Sequence, residues 1–98
     1  MTVIEVSCTP DGAGWTCMVD LRDPGGSATR HRVAVDAADL ERLAPGAIDP
    51  DDLVCRSFVF LLAREPKESI LALFDLLLIG RYFPEYERTI RATDRPDG

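Results

Sequence analysis

The stretch FDLLLIGRYFPEYERTIR, Phe74 to Arg91, decides how the second half of the chain folds. A transmembrane helix needs about 20 consecutive apolar residues. The apolar run here, Ile70–Ile79, is half that length and contains Asp75. Lys67 precedes the run and Arg81 follows it. The stretch is therefore predicted to be part of a folded core and not a membrane segment.

Prolines and aspartates divide this half of the chain into short helices. Proline lacks a backbone N–H and is tolerated at the first turn of a helix, so it ends one helix and starts the next. The predicted helices are Pro66–Phe74, Leu76–Tyr82 with Asp75 as its cap, and Pro84–Arg91. Pieces this short are stable only when their apolar faces pack against another element.

Two further helices are predicted upstream. Asp36 precedes a helix over Ala37–Ala44. Asp49 caps a longer helix over Pro50–Arg64, in which proline takes the first position and two acids face the positive end of the helix dipole.

The first third of the chain has the two-residue period of β-strands. Apolar and polar residues alternate over Thr2–Cys8, Trp15–Leu21 and His31–Val35. The predicted fold class is α+β, with a three-stranded antiparallel sheet and several short helices packed on one face. Two strand orders fit, a meander or an insertion of the third strand between the first two.

The first turn, TPDGAG, determines how the cysteines are placed. A type I turn with a glycine bulge would oppose polar to apolar residues, so a longer loop is expected. That loop sets Cys8 opposite Trp15 and Val6 opposite Cys17. The two cysteines are then diagonal neighbours at about 7 Å, and two buried thiols are predicted. An odd count of three cysteines, no CxxC spacing and no secretion signal favour the reducing cytoplasm.

Length and charge limit the function classes. The chain of 98 residues with a net charge of −6 fits one domain, predicted over residues 1–92, with a flexible tail over 93–98. Residues 1–53 hold ten acids against four arginines, whereas the rest of the chain is balanced. An acidic protein repels phosphate, which argues against nucleic-acid binding.

No constellation for catalysis, cofactor binding or metal binding stands out. His31 is the one histidine, and Cys17 is the thiol that could lie across the sheet from it, but no third group is visible. His31 is therefore predicted to be a half-exposed strand residue. The cysteines lack metal-ligand spacing, and no glycine-rich phosphate loop lies between a strand and a helix.

The segment RYFPEYER contains the interface candidates Arg81, Tyr82, Phe83 and Tyr86. Tyrosine and arginine are enriched at binding hot spots because each combines an apolar body with a polar end. The alternative is that Phe83 and Tyr86 complete the core while Tyr82 and the arginines are solvated.

The residues Arg56–Glu87, RSFVFLLAREPKESILALFDLLLIGRYFPEYE, resemble a group of short bacterial proteins of uncharacterised activity. These share the phrases FLLxREPxxSIL and FDLxxIxRYFPEYE. The similarity extends back through Val33–Val35 and Asp39–Leu43, and it implies no catalytic residue. Leu77 and Leu78 depart from the phrase, in which a proline or polar residue precedes the isoleucine.

Three functions are compatible with these features. The first is a cytoplasmic protein-interaction module, predicted to self-associate, that uses an exposed sheet edge or the corner Arg81–Tyr86. The second is a small ligand-binding domain or enzyme with a pocket between sheet and helices, using Cys17 and His31. The third is an acidic inhibitor or antitoxin-like partner of a basic protein.

Overall fold

The computed structural model describes residues 2–93. Within them the sheet has the strand order β1-β2-β3-β4, with β1 (Val3–Asp11), β2 (Gly14–Arg22), β3 (Ala28–Asp36) and β4 (Leu73–Asp75). The helices are α1 (Ala37–Leu43), α2 (Asp51–Leu62), α3 (Leu78–Tyr82) and α4 (Tyr86–Ala92), and a 3₁₀ turn covers Lys67–Ser69. The α+β class is confirmed. The purely antiparallel three-stranded sheet is wrong, because β4 pairs with β3 in parallel.

Strand β4 forms where a helix over Pro66–Phe74 was expected. Pro66 and Ile70 both have extended backbones, so the helical geometry between them lasts for one 3₁₀ turn. Phe74 and Leu76 are buried whereas Leu73, Asp75 and Leu77 are exposed, which is the two-residue period of a strand. This segment also supplies the backbone partners that the free edge of β3 requires.

The hairpin of β1 and β2 is tighter than expected. Asp11 pairs with Gly14 across a two-residue turn in which Gly12 has φ 61°. A glycine with positive φ at the first central position is the pattern of a type II′ turn, which suits the twist of a hairpin. The register therefore shifts by two residues from the predicted one, and the faces of the strands are kept.

Cys8 and Cys17 are directly opposite in this register and form a disulfide, with Sγ atoms 2.05 Å apart. The prediction of two buried thiols is wrong, because it assumed a longer loop and a diagonal placement. Disulfides persist in oxidising compartments, so the cysteines no longer support the predicted cytoplasmic location.

The core lies between one face of the sheet and the helices. From the sheet it contains Cys17, Val19, Leu21, Val33 and Val35, all of which are buried. Helix α2 contributes Phe58, whose ring lies 5.5 Å from the ring of His31 and 6.1 Å from that of Phe74. Phe58 therefore joins the centre of the sheet to β4.

The other four predicted helices are found with small changes of boundary. Helices α1 and α2 lie within the predicted ranges, and the carboxylate of Asp49 accepts a hydrogen bond from the N–H of Asp51 at 3.2 Å. Helices α3 and α4 each begin two residues later than predicted. Among residues 2–93 there is no helix whose length and apolar character would let it span a membrane.

The prediction of one domain over residues 1–92 stays a prediction. Thr93 continues from α4, with its N–H bonded to the carbonyl of Thr89 at 3.2 Å. The remainder of the predicted tail, residues 94–98, lies outside the described residues.

Candidate functional site

An apolar groove lies at the β4 end of the molecule. Its volume is about 420 Å³. Its walls include Leu61 and Glu65 from the end of α2, Leu71 and Phe74 from the β4 segment, and Leu78 and Tyr82 from α3. We refer to this depression as the β4 groove.

The outer wall of the β4 groove is held to the sheet by the one lysine of the chain. Lys67 is 4% exposed, and its Nζ lies 2.6 Å from a carboxylate oxygen of Asp23 and 2.7 Å from one of Glu68. The hydrogen bonds to Asp23 and to Glu68 raise the pKa of Lys67 above its ordinary value. The ion pair with Asp23 ties the 3₁₀ turn to the β2–β3 connection.

His31 is the second attachment of this wall. Its Nδ1–H donates a hydrogen bond to the carbonyl of Leu71 at 2.7 Å, and its Nε2 is hydrogen-bonded to the Thr29 hydroxyl at 2.8 Å. The predicted half-exposed histidine is wrong, because His31 is 2% exposed beneath the β4 segment. With both ring nitrogens engaged, His31 is a structural residue in this conformation.

The cysteines do not form a reactive pair with His31. The sulfur of Cys17 is bonded to Cys8, and neither Cys17 nor His31 lines the β4 groove. Burial and the nearby Asp52 carboxylate raise the pKa of the Cys55 thiol, which disfavours the reactive thiolate. The described residues contain no group of three or more His, Cys, Asp or Glu placed to hold a metal ion.

The four interface candidates separate into two pairs. Arg81 is exposed, and Tyr82 is 66% exposed at the rim of the β4 groove. Phe83 is half-buried against Phe60, at 5.9 Å between ring centres. Tyr86 is 1% exposed. Tyr86 is thus inaccessible to a partner in this conformation, whereas Tyr82 is available.

Tyr86 is fixed in the core by its hydroxyl as well as by its ring. The hydroxyl oxygen lies 2.7 Å from the hydroxyl oxygen of Ser57, which in turn donates to the carbonyl of Leu53 at 2.8 Å. Burial raises the pKa of Tyr86 to about 12. Tyr86 therefore packs α4 against α2, although its neighbours in the sequence are charged.

Glu65 is the one charged residue among those that line the β4 groove. Its carboxylate forms no ion pair with any residue that the structure describes. The neighbouring Arg64 is already engaged, since it pairs with Glu85 at 3.1 Å and stacks 3.5 Å over the ring of Phe60. The groove therefore combines an apolar floor with one unpaired negative charge.

Exposed apolar side chains surround the β4 groove. Leu71 and Tyr82 line it and are 48% and 66% exposed, and Leu73 and Leu77, which flank the lining residues Phe74 and Leu78 in the sequence, are exposed as well. Sequence reasoning placed Leu71 in the core because it assumed a helix there. The spacing of four between Ile70 and Phe74 is also that of a helix, so no local signal distinguished the strand, and with it the groove.

Comparison of the chain with models of protein families, with curated proteins and with solved structures found no match. The resemblance of Arg56–Glu87 to short bacterial proteins therefore stays a prediction.

Proposed function

We propose that the chain is a protein-interaction module and that the β4 groove is its docking surface. The observation that carries the proposal is an open apolar groove whose lining leaves Leu71 and Tyr82 exposed instead of covering them. Contiguous exposed apolar surface on a soluble protein commonly marks a site of interaction.

The contacts that hold the groove wall support the same function. The outer wall is fixed by the buried Lys67 and by the His31 hydrogen bond to Leu71. A preformed site loses less conformational entropy on binding than a mobile one. Tyr82 offers a large amphipathic side chain at the rim, of the kind that dominates binding energies.

Selection from a random peptide library tests the proposal. Wild type, Tyr82→Asp and Ile48→Asp are immobilised in parallel, and Ile48 is the matched control because it is 89% exposed in a loop and does not line the groove. We expect selected peptides that bind wild type and Ile48→Asp and lose roughly tenfold or more in affinity for Tyr82→Asp, about 1.4 kcal/mol.

Two results would count against an interaction module. One is a library from which no groove-dependent peptide emerges. The other is binding that Tyr82→Asp and Ile48→Asp reduce equally, because the groove would then have no special role. Circular dichroism of all three proteins shows whether each variant is folded.

Self-association is the form of interaction predicted from the sequence, and it stays a prediction. Sedimentation equilibrium over a range of concentrations measures it directly. A self-associating chain using this groove would show a rise in mean mass with concentration for wild type and Ile48→Asp, and a constant monomer mass for Tyr82→Asp.

Binding of a small apolar ligand is the second candidate function. The volume of about 420 Å³ falls within the range of about 300 to 1,000 Å³ that is typical of small-ligand sites. An enzyme or ligand site built on Cys17 and His31 has no such support, because both side chains lie outside the groove. Chemical shift changes with a library of small apolar compounds, confined to groove residues, would favour this candidate.

The acidic-inhibitor hypothesis also stays a prediction. Its distinguishing property is an association with a basic protein that weakens as salt screens the charge of the first half of the chain. Binding that depends on Tyr82 and is insensitive to salt would argue against it.

A further inference from the structure

Strand β4 leaves backbone groups free at the edge of the sheet. On its inner side, Ala72 C=O accepts from the N–H of Arg32 at 2.7 Å and Leu76 N–H donates to the carbonyl of Ala34 at 2.9 Å. In a parallel ladder alternate residues bond to the same neighbour. The N–H and C=O groups of Leu73 and Asp75 therefore point away from β3, towards the open side.

No other strand of residues 2–93 covers that side, because β4 is the last strand in the order. Unpaired N–H and C=O groups on an edge strand are a template for a further strand. A short extended segment laid beside β4 would pair with Leu73 and Asp75.

The β4 groove lies directly beside this edge on the inner face of the sheet. Phe74 is a groove residue and is buried, whereas its neighbours Leu73 and Asp75 are exposed. In an added strand, the residue opposite Phe74 would point to the same face as Phe74. Its side chain would enter the groove.

The charge of the groove specifies the second requirement. Glu65 is the charged lining residue and lacks an ion-pair partner within the described chain, and the protein carries a net charge of −6. A cationic side chain would complement Glu65 locally and would also be drawn to the protein by its overall charge.

Resting on the function proposed above, we propose that the β4 groove binds an extended segment of a partner protein by strand addition to β4. A large aliphatic side chain of the segment fills the groove opposite Phe74. A lysine or arginine two residues away, on the same face of the segment, pairs with Glu65. Main-chain bonds to Leu73 and Asp75 supply affinity, and the two side chains supply selectivity.

The residue between these two points to the outer face of the sheet. There it lies against Leu73, which is 68% exposed and borders a shallow depression with Met18 and Arg32. A β-branched apolar residue suits this position, because it favours an extended backbone and covers Leu73. The recognised pattern is therefore aliphatic, β-branched, basic, in one chain direction or the other.

A second copy of this chain is the competing occupant. Its own free edge, β1, contains Glu5 and Asp11 and no basic residue. Placed beside β4, that edge would offer Glu65 no cation. The charge therefore favours a different protein as the partner.

Fluorescence anisotropy with labelled peptides tests the proposal. The probes are Thr-Thr-Leu-Val-Arg-Thr-Thr and its reverse order, Thr-Thr-Arg-Val-Leu-Thr-Thr, each added to the full chain. We expect one of the two to bind, and replacement of its leucine by serine to weaken binding roughly tenfold or more. Replacement of the central valine by proline, which removes a main-chain donor, is expected to weaken binding to a similar degree.

The pairing with Glu65 is tested by a double-mutant cycle. Glu65→Gln and a peptide with glutamine in place of arginine are combined, with Glu41→Gln as the matched control because Glu41 is an exposed acid that does not line the groove. We expect the two changes to be non-additive, so that Glu65→Gln weakens the arginine peptide about threefold or more and leaves the glutamine peptide nearly unchanged.

Four outcomes would overturn the proposal. They are no binding by either peptide, full binding by the proline peptide, additivity in the cycle, and a dimer that Tyr82→Asp dissociates. After any of these outcomes the hypothesis of strand addition by a basic segment is rejected. The proposal of an interaction module is kept if the random library still yields groove-dependent peptides or if that dimer forms. If neither occurs, the proposed function falls as well.

Discussion

The two edge strands of the sheet are built in opposite ways. Strand β1 is nine residues long, and the disulfide between Cys8 and Cys17 fastens it to β2. Its exposed face carries charge, with Glu5 paired to Arg22 at 2.9 Å, and Pro10 removes one donor from its outer part. Strand β4 has three residues and is attached through Lys67 and His31.

This difference teaches which edge is protected and which is available. Charge and proline on an edge strand discourage pairing with another chain, and β1 has both. Strand β4 has no proline and one charged residue, Asp75, and it exposes Leu73 beside an apolar groove. The contrast is expected if β1 closes the molecule and β4 receives a partner.

The largest loss of stability is expected from a change at Phe58, the core residue of α2 that contacts both β3 and β4. Phe58 is fully buried and contacts both His31 and Phe74. Phe58→Ala should lower the free energy of unfolding by about 3 to 5 kcal/mol, the usual cost of a large cavity in a core. Urea unfolding followed by Trp15 fluorescence and by circular dichroism measures the loss. Retention of wild-type stability would show that Phe58 does not join β4 to the rest of the sheet.

Removal of the disulfide should destabilise the attachment of β1 to β2 without affecting the β4 groove. Cys8 and Cys17 close a short loop, so Cys8→Ala with Cys17→Ala should cost about 2 to 4 kcal/mol of unfolding free energy. Amide hydrogen exchange should rise first in β1, while peptide binding at the β4 groove under native conditions stays unchanged. A matched loss of groove binding would contradict the independence of the two edges.

Alkaline pH should lower the free energy of unfolding through Tyr86, which packs α4 against α2. Its pKa rises from 10.0 to about 12 on folding. The unfolded chain therefore loses this proton first, and stability present below pH 10 declines as the pH rises towards 12. The loss reaches roughly 2 to 3 kcal/mol once Tyr86 is ionised in the folded state as well.

Tyr86→Phe separates this effect from general alkaline unfolding. The variant should be less stable at neutral pH by about 1 kcal/mol, because it leaves the Ser57 hydroxyl with one partner fewer. It should also lose much of the decline between pH 10 and 12. An identical decline in both proteins would exclude Tyr86 as its source.

The smallest effect is expected at acid pH, where the groove wall should become less stable. The hydrogen bond from Lys67 lowers the pKa of Asp23 and likewise that of Glu68. Stability from these carboxylates is present above their ordinary pKa values and is lost as the pH falls through the lowered ones. Exchange of the amides of Phe74 and Leu76 should accelerate in that range, and Lys67→Met should abolish the pH dependence. No acceleration would show that the ion pairs do not hold the wall.

Sequence reasoning predicted the elements whose signals are local. The alternation in β1 to β3 and the Asp49-Pro50 start of the second helix depend on neighbouring residues, and α1 and α2 were placed closely. The hairpin register was missed because the positive φ of Gly12 permits a two-residue turn that composition alone does not reveal. That one turn decides whether Cys8 meets Cys17.

The groove could not be predicted because it depends on distant contacts. Lys67 reads as a solvated charge until Asp23, 44 residues away, is brought beside it. His31 reads as half-exposed until the Leu71 carbonyl covers it. The burial of Tyr86 follows from how α4 packs on α2, a contact between residues 29 apart in the sequence.

The burial of Lys67 also changes how the molecule responds to chemistry directed at amines. It is the one lysine in the sequence, and its ammonium is enclosed by two carboxylates. A lysine-selective acylating reagent can reach it only when the segment around the 3₁₀ turn opens. The rate of modification at this position therefore reports how often the groove wall opens. A ligand bound in the groove should slow the modification.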